Sequence, residues 1–176
     1  MSHQSDLTFK VTSTIDLRPV NAADETFLLE VYASTRADEM SLLPWSDKQK
    51  QAFVRAQFNA QQQHYQKTYP DASHDIILSN DRMVGRLYVA RMEMEIRIVD
   101  ITLLPRDRNG GIGSHLLRML LDEAARSMKP LRIYVENFNP SLRLFERLGF
   151  SPSEQHGIHI LMECSYVPRW ESDEAR

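Results

Sequence analysis

Residues 96–121 constrain this chain more than any other stretch. They begin Ile-Arg-Ile-Val-Asp-Ile-Thr-Leu-Leu-Pro, a short β-branched and apolar run stopped by Pro105, which reads as a buried strand. They end in Leu116, Leu117, Leu120 and Leu121, continued by Ala124 and Ala125, at the spacing of one apolar helix stripe. Between the two lies a basic, glycine-bearing loop, Arg106 to Gly113. Strand, glycine loop and helix start together make an anion site. Glycine lets backbone approach closely, and the first helical turn points free N–H groups at whatever is bound.

The loop is neither of two common phosphate motifs. Gly111-Ile112-Gly113 is followed three residues later by Leu116, which breaks the dinucleotide fingerprint, and no Lys-Ser/Thr pair follows the glycines. With 176 residues the chain is long enough for one domain with a sizeable core and too short for two ordinary ones. Its net charge of −3 gives no sign of a nucleic-acid partner, and its six histidines lack metal-ligand spacing. Cys164 is the only cysteine, so no internal disulfide forms, and its apolar setting reads as a buried strand residue. No signal core is present and no run approaches ~18 apolar residues, so neither export nor membrane spanning is expected. The default is a cytoplasmic protein without a bound metal.

In chain order, 1–14 reads as a polar arm in which the alternation of Leu7, Phe9 and Val11 with polar residues suggests an extra strand. A strand over 15–20 leads into a helix opened by Asn21 or Ala23, with Phe27, Leu28, Val31 and Tyr32 on one side. Ser41 to Pro44 and Trp45 break it. Ser46-x-x-Gln49 is a capping box that starts a long polar helix toward Lys67. Strands over 74–79, 83–92 and 95–104, joined by short turns, form an antiparallel meander. A helix over 114–128 and a strand over 131–136 complete a right-handed βαβ unit, so the strands at 95–104 and 131–136 should lie parallel. A short helix over 142–148, capped by Gly149, precedes a hairpin of strands 150–154 and 159–164. Residues 166–176 read as a tail. The expectation is one α+β domain over 15–165.

Two stretches carry a family resemblance. Arg108-x-x-Gly111-Ile112-Gly113 resembles the Q/R-x-x-G-x-G/A motif of the GNAT superfamily of N-acetyltransferases, whose loop binds the pyrophosphate of acetyl-CoA. Val135-Glu136-Asn137-Phe138-Asn139-Pro140-Ser141-Leu142-Arg143-Leu144-Phe145-Glu146-Arg147-Leu148-Gly149-Phe150 resembles that family's V-x-x-x-N-x-x-A-x-x-L-Y-E-K-L-G-F segment. The order of elements agrees as well. The resemblance implies a mixed, mostly antiparallel sheet of six to seven strands with about four helices. It also implies that a parallel central pair of strands splays apart around the acetyl-CoA arm.

Carried over by position, the resemblance gives the backbone of Ile101, Thr102 and Leu103 to the CoA arm. The N–H groups of Arg108, Asn109, Gly110, Gly111, Ile112, Gly113 and Ser114 would hold the pyrophosphate, with Gly111 and Gly113 needed because a side chain would intrude. Arg106 and Arg108 would add charge. Asn139 would touch the CoA arm, cap the following helix, or do both. Many relatives keep a tyrosine that protonates the departing thiolate; Phe145 stands there instead and has no proton to give. Tyr134, Tyr88 and Tyr65 are substitutes to weigh.

For a base that deprotonates the attacking amine, Glu95 and Asp100 are the candidates. An inward Asp100 needs a partner, Arg86 or Arg97. Acceptor residues by resemblance come from the first two helices and the final hairpin, which supply Tyr32, Arg36, Asp38, Glu39, Trp45, Phe58, Gln61, His64 and Tyr65. Trp45 and Tyr65 beside Asp38 and Glu39 suggest an aromatic, acidic pocket for an amine, whereas Arg36 suits a carboxylate. The leading expectation is acetyl transfer from acetyl-CoA to a primary amine by direct attack, in a monomer or homodimer. The alternatives are another acyl-CoA donor, or a CoA-binding regulatory domain without turnover.

Overall fold

The structure, a computed structural model, describes residues 14–165. The strand expected around Leu7 to Val11 and the tail with Trp170 lie outside the described residues. The chain runs β1 (Ile15–Pro19), α1 (Glu25–Ser41), α2 (Asp47–Thr68), β2 (Ser73–Ser79), β3 (Arg82–Arg91), β4 (Ile96–Leu103), α3 (Ile112–Ser127), β5 (Leu131–Glu136), α4 (Leu142–Arg147), β6 (Ser151–His156) and β7 (His159–Cys164). The strands form one sheet in the order β1-β2-β3-β4-β5-β7-β6, with β4 and β5 the parallel pair and every other pairing antiparallel. This is the α+β mixed sheet expected, with seven strands where the resemblance implied six to seven, and with four helices.

Local chemistry sets the ends of the elements. The Ser46 Oγ accepts the Gln49 N–H at 3.3 Å while Gln49 Oε1 accepts the Ser46 N–H at 2.9 Å, so the expected capping box starts α2. A second box, not foreseen, precedes α1. Asn21 Oδ1 accepts the Ala23 N–H and Asp24 accepts the Asn21 N–H, which inserts a 3-10 turn, Ala22–Asp24, before the helix. The α3 helix begins at Ile112, two residues before the expected start, because Gly111 at φ +87° turns the chain directly into it. After α4, Gly149 at φ +91° lets its own N–H reach the Glu146 carbonyl and the Phe150 N–H reach that of Phe145, closing the helix.

Two cores sandwich the sheet. On one face Leu116, Leu117, Leu120 and Ala124 of α3, with Phe145 of α4, cover Val84, Leu87, Val89, Ile96, Ile98 and Ile133. Each buried leucine there contributes about 1.5–3 kcal/mol. On the other face Phe27, Leu28, Val31 and Tyr32 of α1 and Val54 and Phe58 of α2 pack over Ile76 and Leu104.

The feature that creates a site is a failure of pairing. The β4–β5 ladder consists of Ile96↔Leu131, Arg97↔Arg132 and Ile98↔Ile133 and then stops, although both strands continue. The cause is visible on the other edge of β4. Tyr88 pairs with Asp100 but Val89 pairs with Ile98, so Val99 is an extra, bulged residue that bends β4 away from β5. Beyond the bulge Gly85 of β3 lies so close to β4 that a Cβ there would sit 2.2 Å from the Thr102 carbonyl oxygen. The V between the strands opens toward their C-terminal ends.

Candidate active-site cleft

The open edge of β4 leads into the glycine loop. A turn of 3-10 helix, Pro105–Asp107, follows the strand. It is tied down by the buried Asp107 carboxylate, which accepts two bonds from Arg82 at the start of β3 (2.5 and 3.2 Å). Arg108 is exposed and donates from Nε to the Leu103 carbonyl at 3.0 Å, so its guanidinium clips the loop to the end of β4. Asn109 and Gly111 both take positive φ, +63° and +87°. No side chain caps α3, and no group among the described residues accepts the N–H groups of Ile112, Gly113 or Ser114. Three donors with the positive end of a 16-residue helix behind them face the mouth of the V.

The glycines are there for two separate reasons. A Cβ at Gly110 or Gly111 meets nothing, so Gly111 is required by its φ, while at Gly113 a Cβ would make an ordinary 3.8 Å contact with Leu144. The protein itself does not crowd the loop; the open backbone is a cradle that side chains would fill. Free donors, an uncrowded cradle and an unpaired strand edge together fit a long ligand with an anionic middle, as a CoA thioester has.

Along β4 the backbone groups are divided. The Thr102 carbonyl lies against Gly85 of β3, so its backbone serves the sheet and not the gap, contrary to the expectation that it offers groups to a ligand. Alternation leaves Ile101 and Leu103 toward the gap. The Thr102 hydroxyl instead donates to Asp100 Oδ1 at 2.7 Å.

Asp100 faces α2 and is 12% exposed. Its partner is Arg86, 1% exposed, whose Nη2 donates to Asp100 Oδ2 and to Gln61 Oε1, both at 2.6 Å, while its Nε and Nη1 have no partner among the described residues. Three rings stand beside this pair: Tyr65 edge-on to Tyr88 at 5.4 Å, and His74 stacked on Tyr88 at 4.5 Å. Burial and the Asp100 charge push the Tyr65 phenol up. Burial, then the nearby Arg86 charge, pulls His74 down to about 4, so its ring is neutral at physiological pH.

Glu95 is elsewhere. It is 8% exposed at the closed end of the V, about 16 Å of strand from Asp100. Its carboxylate meets Arg97 of β4 and Arg132 of β5, each at 2.5 Å, and Arg132 goes on to Glu163 of β7 at 2.6 Å. A carboxylate with two guanidinium partners is a clasp across three strands.

The other sequence candidates divide. Asn139 Oδ1 accepts the Ser141 N–H at 2.9 Å in the turn ahead of α4, whose N-cap is Ser141 with no side-chain bond, so Asn139 is not the helix cap the sequence suggested. Phe145 is 3% exposed and packs edge-on to Phe150 at 5.3 Å. Tyr32 is buried against Phe58, with the Arg36 guanidinium 5.5 Å above its ring and Arg36 Nη1 on Glu39. Trp45 packs on Phe53 before the first turn of α2, while Tyr65 is in its last turn. The helix separates them by roughly 27 Å, so the single pocket expected from Trp45 and Tyr65 is not formed. Gln61 stood among the acceptor residues carried over by resemblance, whereas Arg86, Gly85 and the Val99 bulge went unplaced as site features. Only Arg86 left a signal, as one of two cations offered to Asp100.

A mixed sheet split between two parallel strands, with a glycine-turned helix start at the mouth, is the architecture that the family resemblance implies. The sequence model of the acetyltransferase (GNAT) family matches residues 35–150, well over half of the chain, and the protein belongs to that family. No curated protein matches it by sequence. Among solved structures, the PaiA N-acetyltransferase of Thermoplasma acidophilum in complex with coenzyme A superposes with a TM-score of 0.66 at 17% identity, over 87% of this chain and 99% of that one. RimL, a ribosomal L7/L12 alpha-N-protein acetyltransferase in complex with coenzyme A, gives 0.57 at 18% identity over 87% and 94%. A GNAT family acetyltransferase from Elizabethkingia anophelis with acetyl-CoA bound gives 0.53 at 16% identity over 86% and 97%. No helix among the described residues is long and apolar enough to cross a membrane.

Proposed function

We propose that this protein transfers the acetyl group of acetyl-CoA to a primary amine by direct attack within a ternary complex, in the cytoplasm. The observation that carries the reading is the gap: β4 ends its pairing with β5 at Ile98, and its free edge runs straight to the unsatisfied N–H groups of Ile112, Gly113 and Ser114. These donors hold the pyrophosphate, Arg108 and Arg106 add positive charge, and the edge at Ile101 and Leu103 pairs with the amide-bearing arm. The arm replaces the missing strand partner, which places the thioester near the Val99 bulge.

On the α2 face of that point Asp100 meets the acceptor. Arg86 and Thr102 fix its carboxylate, so it orients the ammonium and takes its proton, directly or through one water. Proximity of two bound substrates supplies much of the rate, and a modest base suffices. Glu95 has no place in this step, since its carboxylate is engaged by two arginines about 16 Å of strand away. Phe145 favours one other reading, a CoA-binding regulatory domain, because that position lacks a proton donor.

Titration calorimetry with acetyl-CoA, followed by thiol release against pooled polyamines, amino acids, aminoglycosides and peptides, separates the two. Micromolar binding with release on one pool is expected. Gly111→Glu should abolish binding, and Asp100→Asn should lower kcat roughly 100-fold with binding intact. Binding without release on any amine supports the regulatory reading. Absence of binding refutes the placement of the loop.

A further inference from the structure

We infer that Asn109-Gly110 is a self-modification site within the anion cradle. In the ligand-free protein the Gly110 backbone nitrogen attacks the Asn109 side-chain carbonyl, and the carboxylate that results opposes the pyrophosphate. The inference rests on the acyl-transfer reading above and sets a limit on the working life of its loop. The sequence holds six asparagines, and only Asn109 precedes a glycine. The side-chain oxygens of Asn21, Asn80 and Asn139 accept hydrogen bonds from the N–H groups of Ala23, Thr14 and Ser141. Asn59 lies inside α2, where the N–H of the next residue is held in the helix, and Asn137 is followed by the bulky Phe138. Asn109 has none of these restraints. It is exposed, at φ +63°, and its side chain makes no hydrogen bond among the described residues.

The nucleophile is equally free. Nothing among the described residues accepts the Gly110 N–H, although Asp107 and Arg108 just before it donate to Leu104 and Pro105. A Cβ on Gly110 would meet nothing within 4 Å, so the backbone there stands in open space and glycine adds no shield of its own. The next residue, Gly111, is the N-cap of α3. The positive end of that helix, with the Arg108 cation on the same loop, favours the negative charge that the nitrogen gains on losing its proton. The openness that suits the cradle to an anion therefore leaves one of its donors able to attack the neighbouring side chain. A pyrophosphate held across Ile112, Gly113 and Ser114 engages the Gly110 N–H as well and closes this route.

The step needs water and no other reactant. The Gly110 nitrogen bonds to Asn109 Cγ, the bond from Cγ to the side-chain nitrogen breaks, and that nitrogen departs as ammonia with the proton that Gly110 gave up. A cyclic imide then joins the two residues. Water adds its oxygen to one of the imide carbonyls and its proton to the Gly110 nitrogen, and the bond between them breaks. Opening at Cγ leaves an aspartate at position 109. Opening at the main-chain carbonyl leaves an isoaspartate, whose extra carbon lengthens the backbone. Either product places a full negative charge where the pyrophosphate binds, and the isoaspartate also displaces the φ +87° turn at Gly111 that starts α3.

The test ages the full chain in mildly alkaline buffer, alone and with acetyl-CoA, beside Gly110→Ala. Peptide mass spectrometry follows the amide at 109, and enzymatic methylation counts the isoaspartate. In wild type alone the amide at 109 should convert while the other five asparagines stay intact. Acetyl-CoA at about ten times its Kd should slow conversion roughly tenfold, since only the free fraction reacts. Gly110→Ala should slow it too, because a methyl group now stands beside the nitrogen. By calorimetry, Asn109→Asp and the aged protein should each bind acetyl-CoA roughly tenfold more weakly than fresh wild type. If position 109 keeps its amide as long as the other asparagines do, the modification site is overturned. Conversion at an equal rate with acetyl-CoA present, or wild-type affinity in Asn109→Asp, overturns its link to the cradle. Fresh wild type that does not bind acetyl-CoA overturns the acyl-transfer reading and that link together, a failure told from the first because conversion at 109 is read by mass alone.

Discussion

Replacing Gly85 by alanine puts a methyl carbon 2.2 Å from the Thr102 carbonyl oxygen and 3.0 Å from the Leu103 Cα. Both atoms are backbone of β4, so no side chain can rotate out of the way, and the strands must part by close to 1 Å. Overpacking of this kind costs about 1–3 kcal/mol, and a backbone neighbour argues for the upper end. In a chain of this size each kcal/mol lowers Tm by about 2–4 °C, so a fall of roughly 6–12 °C is expected in a thermal scan followed by circular dichroism. Because Ile101 and Leu103 ride on the displaced segment, acetyl-CoA should also bind more weakly by calorimetry. Gly110→Ala is the control: its Cβ meets nothing and its φ is not positive, so Tm should stay within about 1–2 °C. If Gly85→Ala melts with the wild type, the close approach of β3 to β4 is not what fixes the open edge.

Two further outcomes follow from local structure. Met128 ends α3 at φ +53° with its side chain exposed, a conformation that glycine takes freely. Met128→Gly should therefore raise stability by about 0.5–1 kcal/mol in urea titration. His74, pulled down to about 4 from its ordinary 6.5, binds a proton less readily when folded than when unfolded. The unfolded chain thus holds more protons between those values, and stability falls as pH drops from 6.5 toward 4. Tm measured across that range should decline less steeply in His74→Phe than in the wild type.

How much of this was legible depended on the range of the interaction concerned. The meander, the βαβ unit and the caps at Ser46 and Gly149 are written in neighbouring residues, and they appear within a residue or two of their expected limits. The anion loop is legible for the same reason, its glycines and the α3 stripe being contiguous. Asp100 announced a partner because a strand carboxylate needs one, but only the pairing of Tyr88 with Asp100 brings Arg86 onto its face. The surroundings of Glu95 were not legible, since its second guanidinium belongs to Arg132, 37 positions on, and no local pattern joins them. The Val99 bulge carries no marker, because a valine serves there as well as any residue and the extra position exists only relative to β3. The joint role expected of Trp45 and Tyr65 overlooked the length of the helix between them.

The three-residue junction between β4 and β5 also bears on how the chain is made. Strands β1 to β4 are complete by residue 103, and β5 to β7 come from 131–164, so each half of the sheet is contiguous in sequence and meets the other chiefly through that short ladder and α3. On the ribosome the first half emerges with β4 as a bare, largely apolar edge, the kind of surface that pairs with a neighbouring chain. Arg97 near the start and Asp100 at the centre of β4 put charges on that edge strand, a feature that disfavours pairing with another chain.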